Sequence, residues 1–391
     1  MTDERSQAGG PAGPPDPPPA RPAAARAGGT LESLEKYPCA ACGAQATWSP
    51  SKGTLVCSFC GTEAPFTLDP DSGALVEHDL VRALREIPDQ DRGWLAEKRT
   101  VQCQSCKAVS VFDPARTGQN CDFCGSPSLL DYQEIRAPIR PQGLLPFKVD
   151  QGRVREQMRA WFGGRWLAPN NLGAKALVDR VHGIYIPYWT FDAHAVCPWT
   201  AEAGHYYYTN ERYRDSKGQS RTRRKRHVRW EPAAGEVRHF FDDEPVPGTQ
   251  GLRHDLLKKI EPFATGELVP YDTAFLSGFV VEHYQLVLVD AAARSHDAMV
   301  EKLRQMASAQ VPGDTQRNLQ IHPQFSGRTF KHILVPVWVL SFNYRAKIYQ
   351  VLVNGYSGTI AGDYPLSPWK VFFLVVVIVI VALIVIVFSQ E

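Results

Sequence analysis

Eight of the nine cysteines fall between Cys39 and Cys124, in four Cys-x-x-Cys pairs: Cys39/Cys42, Cys57/Cys60, Cys103/Cys106 and Cys121/Cys124. Fourteen residues separate Cys42 from Cys57 and Cys106 from Cys121, and each cysteine of the first set recurs 64 residues later. Pro50 and Pro114, Phe59 and Phe123, and Gly61 and Gly125 keep the same register, so one module is present twice. Two such knuckles, joined by a hairpin-length spacer, bring four thiolates to the corners of a tetrahedron, the geometry and soft ligand set that Zn²⁺ prefers. In the first copy the spacer reads as strand, turn, strand over Ala46–Trp48, Pro50–Gly53 and Thr54–Val56. The expectation is two zinc ribbons holding two Zn²⁺ ions; spacing alone leaves iron open as the metal. Disulfides are the rival use. Against them, no apolar signal segment opens the chain, and Cys-x-x-Cys pairs are poorly placed to staple distant strands. A four-thiolate site is closed to substrate, so its expected role is structural, replacing a core that so small a module cannot build.

A second chemistry is suggested by charge. From Arg212 to Arg229 there are nine Lys/Arg residues and one acidic residue, Asp215. Tyr206, Tyr207, Tyr208 and Tyr213 precede or enter this run, and Trp230 closes it. Strand-like flanks around Asp215–Ser220 predict a long hairpin with basic arms. Arg221, Arg223, Arg224, Lys225, Arg226 and Arg229 are its candidate anion- or lipid-binding residues. A solvated surface hairpin is the plainer reading. The remaining cysteine, Cys197, lies in the apolar stretch His194–Trp199 and reads as a buried thiol. No Ser/His/Asp, His-Glu-x-x-His or paired-carboxylate signature surrounds the scattered His182, His194, His205 and His332, so no catalytic residue is assigned and no enzyme is expected.

The elements that must position these residues follow from pattern. Val371–Phe388 is an unbroken apolar run without charge, proline or glycine. As a helix it spans roughly 27 Å, close to the hydrocarbon thickness of a bilayer, and Trp369 and Lys370 stand where interfacial anchors belong. This reads as a C-terminal tail anchor in the inner membrane, with the bulk of the chain on the cytoplasmic side. A reducing cytoplasm suits eight thiolates. Leu80, Val81, Leu84 and Ile87 form a helical stripe expected to pack between the ribbons. Asp150 is placed to cap a helix reaching Phe162, and a second helix is expected over Leu172–Val181. The runs Ile184–Trp189 and Ile333–Trp338 share a Pro-x-Trp pattern and suggest two related β-units, each expected at an edge or bulge because of its proline. Val280–Val289 reads as a strand, with Asp290 capping the helix that follows. Trp338–Tyr344 and Lys347–Val353 alternate like paired strands, and Asn354–Gly358 is a turn.

The fold class expected is therefore α+β: two tandem zinc ribbons, an antiparallel-sheet-dominated domain and one C-terminal transmembrane helix. The boundaries expected are a disordered Pro/Ala/Gly-rich tail over 1–36, ribbon 1 over 37–70, a connecting helix over 71–100 and ribbon 2 over 101–135. A linker over 136–148 then leads to the α+β domain over 149–368, with the basic hairpin at 206–230, and the anchor occupies 369–391.

The order of these motifs resembles a family of bacterial membrane-anchored proteins with transcription-factor-IIB-type zinc ribbons. The resemblance is carried by the knuckles, by Gly183–Ala193, Gly251–Phe263, Pro270-Tyr271, Leu276–Phe279 and Leu334–Trp338, and by Val353–Gly358 through Gly362–Pro365. Members often carry a label borrowed from primosomal protein N′, a helicase. This chain lacks the Gly-x-x-x-x-Gly-Lys-Ser/Thr loop of such a motor, so no nucleotide partner is expected. Some relatives look like partners of phage-shock protein A homologues, which implies an adaptor at a stressed membrane. The alternative is a nucleic-acid-binding protein using ribbons and hairpin. The anchor argues against it, as do the few basic residues, Lys107 and Arg116, between the cysteines of the second copy.

Overall fold

The computed structural model describes residues 37–64, 75–86, 99–104, 108–112, 121, 123, 129–131, 139–169, 181–214, 219–344 and 347–388. The expected tail, the helix over 172–180 and the tip of the basic hairpin lie outside them.

Strands β1 (Tyr37–Pro38), β2 (Gln45–Ser49), β3 (Thr54–Cys57) and β4 (Glu63–Ala64) form an antiparallel sheet in that order and carry the first cysteine set. After β5 (His78–Asp79) and α1 (Leu80–Glu86) come β6 (Arg99–Cys103), β7 (Val109–Phe112) and β8 (Leu129–Asp131), a second small sheet ordered β7-β6-β8. The main domain holds β9 (Gly143–Leu144), α2 (Gln151–Gly163), β10 (His182–Arg214), β11 (Ser220–Pro247) and α3 (His254–Ile260). It continues with β12 (Val269–Pro270), β13 (Val280–Val281), α4 (Leu288–Gln310), β14 (Thr315–Ile321), β15 (Gln324–Tyr344), β16 (Lys347–Asn354) and β17 (Ile360–Gly362). Helix α5 (Pro368–Phe388) follows. The backbone of the main sheet is β11-β10-β15-β16-β17, antiparallel throughout. The architecture is α+β with sheet dominant.

The two Pro-x-Trp runs turn out to face each other. Ile184 pairs with Val337, Tyr185 with Pro336, Pro187 with Leu334 and Tyr188 with Ile333. They sit in the two central strands, where proline is normally excluded. The exception has a geometric cause. The carbonyl of Pro187 accepts from Gly248 N–H and that of Tyr185 from Glu282 N–H. The carbonyls of Leu334 and Pro336 likewise accept from Leu145 and Gly355. These residues aim their backbone polar groups away from the ladder they share, so a missing N–H breaks no rung of it.

Other expectations shift. Residues 143–148 are no linker: β9 pairs with both β15 and β12, and Leu144, Leu145 and Phe147 are fully buried. The prolines around them mask an apolar run that the sheet covers. Val280–Val289 is strand only over Val280–Val281, and the helix begins at Leu288, with Val287 at its N-cap. Asp290 sits in its first turn, where a carboxylate favours the helix dipole. Helix α1 packs Leu80 into the cluster around Trp189 and Phe330, while Val81 and Leu84 are exposed, so it lies on the main sheet. Helix α2 follows its sequence signature. Asp150 accepts from Arg153 N–H at 3.0 Å, and Val154, Met158 and Phe162 are buried.

The cysteine modules share core with this domain. Ala46, Trp48 and Leu55 belong to one buried cluster with Phe275, Leu340 and Val351. Cys103, Ala108, Cys121 and Phe123 belong to another with Leu252, Leu256 and Val337.

Candidate metal centre

The first module builds its site from two knuckles with the same backbone. Gly43 N–H donates to Cys39 carbonyl and Cys39 N–H to Ala44 carbonyl; Gly61 N–H donates to Cys57 carbonyl and Cys57 N–H to Thr62 carbonyl. Gly43 and Gly61 have φ of 73° and 74°, a left-handed turn that a side chain would strain. Strands β2 and β3 bring the knuckles together by pairing Ala46 with Cys57. Cys39 Sγ lies 3.5 Å from Cys60 Sγ, and Cys42 Sγ 3.5 Å from Cys57 Sγ. All four sulfurs lie within 4.8 Å of one another.

Those distances decide the chemistry. A disulfide would need about 2.05 Å. Four sulfurs about 2.3 Å from one central ion sit roughly 3.8 Å apart in a tetrahedron. The cluster can therefore hold a metal such as zinc through all four sulfurs. Thiolates this close repel one another unless a cation sits among them. The first negative charge of the cluster falls on Cys60: the Thr62 hydroxyl, 3.1 Å from its Sγ, and then the Thr62 N–H hold its pKa down to about 6, while Cys42, despite the lowering Ala44 N–H, is pushed up to about 12 by its hydrogen bond to Cys60. Backbone N–H groups of Ala41 and Cys42 lower that of Cys39. Sequence reading passed over Thr62, although Ser126 in the second copy repeats a hydroxyl at the same register.

In the second module Cys103 and Cys121 are both buried, and Cys103 N–H bonds Ala108 carbonyl as in the first knuckles. Cys106 and Cys124 lie outside the described residues. The duplicated phenylalanines part company. Phe123 is fully buried, and its carbonyl accepts from Ser341 Oγ and, at 3.1 Å, from Gln350 Nε2. Phe59, at the same register of the first module, is 83% exposed. The first module instead docks through its hairpin: Trp48 N–H donates to Ser277 carbonyl, Ser277 Oγ to Ala46 carbonyl, and the Trp48 and Phe275 rings lie 4.4 Å apart.

The basic segment is a two-stranded arm. Beyond Gly204, β10 pairs with β11 alone, from His205↔Arg229 to Arg214↔Ser220. Arg221, Arg223, Arg224, Lys225, Arg226 and Arg229 are all exposed along it. Cys197 is fully buried, and desolvation raises its pKa. Helix α5 is long and apolar enough to cross a membrane, with mean hydropathy 3.2 over Pro368–Ile386 and none of it buried. Its root is tied to the main domain: Lys370 Nζ donates to the Trp166 and Ala168 carbonyls, and Ser367 N–H to Leu167 carbonyl.

Among curated proteins the chain is similar to the uncharacterized protein YdjG of Bacillus subtilis (strain 168), 23% identical over 345 residues. The match covers 86% of this chain and 91% of that protein. No family model matches the chain. No solved structure matches it.

Proposed function

We propose that this protein is a non-catalytic, membrane-tethered adaptor whose first cysteine module captures a protein partner. In this reading both modules are zinc ribbons, each holding one ion through its four cysteines. Helix α5 anchors the chain in the cytoplasmic membrane with the modules on the cytoplasmic side, and its family is the one the motifs resemble. The observation that carries the reading is the divergence of Phe59 from Phe123. Within this chain a knuckle phenylalanine is used as a docking plug, packed with Ala108 of its own module against Gly251 and Leu252, with its carbonyl held by two side-chain donors. The first module keeps the same plug and leaves it in solvent. A fully exposed phenylalanine offers roughly 2 kcal/mol of burial to a matching surface. The resemblance names a phage-shock protein A homologue as the expected partner, acting in a membrane-stress response.

The test is co-purification from detergent-solubilised membranes, comparing the parent with Phe59→Ala. The variant is expected to keep its metal content and lose the partner protein. Retention of the partner by Phe59→Ala would remove the knuckle from the interface. Recovery of bound nucleic acid with no protein partner would put the nucleic-acid reading in its place.

A further inference from the structure

The register of the arm sorts its charges onto two faces. Partners directly opposite share a face, and alternate residues along a strand point to opposite faces. Tyr207, Thr209, Glu211 and Tyr213 therefore share a face with Arg221, Arg223, Lys225, His227 and Arg229. That face is partly compensated, with two carboxylates set against its four Lys/Arg residues. Glu211 lies 2.9 Å from Arg223 and 3.6 Å from Lys225, and Glu231 lies 2.9 Å from Arg229. The other face carries Tyr206, Tyr208, Asn210, Arg212 and Arg214 with Thr222, Arg224, Arg226 and Val228. Among the described residues none of its four arginines makes an ion pair. The nearby carboxylate of Asp314, at the arm's base, is held by Tyr206 N–H at 2.7 Å. Arg224 lies over the Tyr208 ring at 3.8 Å and Arg226 over Tyr206 at 4.4 Å. Stacking occupies the face of a guanidinium and leaves its in-plane N–H donors free for phosphate oxygens.

We infer that this second face, and not the arm as a whole, binds the anionic surface of a phospholipid bilayer through Arg212, Arg214, Arg224 and Arg226. The inference rests on the membrane tether proposed above. Four cations lie on one face of the ribbon, with two tyrosines beside them whose rings suit the headgroup layer. That arrangement presents them together to an extended anionic surface. A ribbon sunk in a nucleic-acid groove would turn Glu211 and Glu231 toward phosphates. The arm also sits far from the anchor. Helix α5 is rooted beside the start of β10, where His182 pairs with Val339 and Val351 with Gly362, and the free arm begins only after Gly204. That is a strand contour of roughly 75 Å before the bulges near Asp192 and Ala201 bend it. The arm is thus a second, reversible contact with a bilayer, remote from the insertion point.

The test uses the full chain held in nanodiscs of neutral phosphatidylcholine, mixed with vesicles of neutral lipid or of neutral lipid with phosphatidylserine, and floated on a density gradient. The parent is expected to float with the anionic vesicles alone. Serine at Arg212, Arg214, Arg224 and Arg226 is expected to weaken that binding about 100- to 1000-fold. Lysine at the same four positions should retain most of it. Serine at Arg221, Arg223, Lys225 and Arg229 removes the same charge from the compensated face and should leave vesicle capture largely intact. Equal loss in the two serine variants would overturn the face assignment in favour of net charge. A parent that ignores anionic vesicles yet retards DNA or RNA would overturn the choice of ligand. Failure to enter nanodiscs at all would count against the tether, a separate outcome.

Discussion

Glu282 should make the stability of the main domain fall as pH rises. The residue follows β13, its N–H is bonded to the Tyr185 carbonyl, and its side chain is fully buried. Its best partner is an amide, Gln285 Nε2, at 2.8 Å. Desolvation dominates, and the Thr249 and Gln285 hydrogen bonds offset it only partly, so the carboxyl is pushed up from 4.5 to about 8. Between those two values the folded chain keeps a proton that the unfolded chain has released. Its contribution is therefore greatest below the unfolded pKa and is lost as pH rises toward 8. At about 1.4 kcal/mol per pH unit the whole window is worth about 5 kcal/mol. Glu282→Gln keeps the shape without the charge. The variant and parent should be equally stable, to about 1 kcal/mol, at pH 5, and the variant should be more stable by about 3–5 kcal/mol at pH 8.5. Urea unfolding of the detergent-solubilised proteins, followed by tryptophan fluorescence, reads the difference at each pH, and effects on the metal centre common to both cancel. A stability difference that does not change between pH 5 and 8.5 would refute the argument, because it would mean that Glu282 does not titrate with folding.

Two further perturbations test the ends of the chain. Cys57→Ser should remove one metal per chain by elemental analysis and leave α4 and the sheet folded; unchanged metal content would show that the four sulfurs are not the ligand set. Deleting residues 369–391 should release the protein from membranes, since none of Pro368–Ile386 is buried and α5 is the only described helix long and apolar enough to span. Persistence in the membrane fraction after a high-salt wash would require another insertion element.

The clustering of Cys39, Cys42, Cys57 and Cys60 was legible because metal-site geometry writes itself into spacing, and both knuckles reuse one backbone pattern with glycine at its left-handed position. The apolar helix was legible from length alone. The faces of the basic arm were not. Which arginines meet Glu211 and Glu231 depends on register, and slipping the pairing by one residue would put Arg224 and Arg226 on the face of Glu211. Arg212 and Arg214 were accordingly absent from the candidate residues, although their even spacing with Arg224 and Arg226 would have grouped them once Arg214↔Ser220 was known. The prolines misled for a related reason: a proline forbids a rung only if its N–H would point into the ladder, and sequence does not say which way it points.

The duplication shows where burial comes from. Phe59 and Phe123 occupy the same register of near-identical knuckles, so nothing within the module separates their fates. The difference lies in the surface each module meets. The second knuckle meets Gly251, where a Cβ would come within 3.1 Å of the Phe123 ring, together with Ser341 and Gln350 as donors. The first meets the main domain through its hairpin instead, using Trp48 against Phe275 and Ser277. Two copies docked by different edges leave one knuckle consumed and one free. The main domain thus fixes the orientation of the first module while sparing the end that, in the other copy, makes the contact.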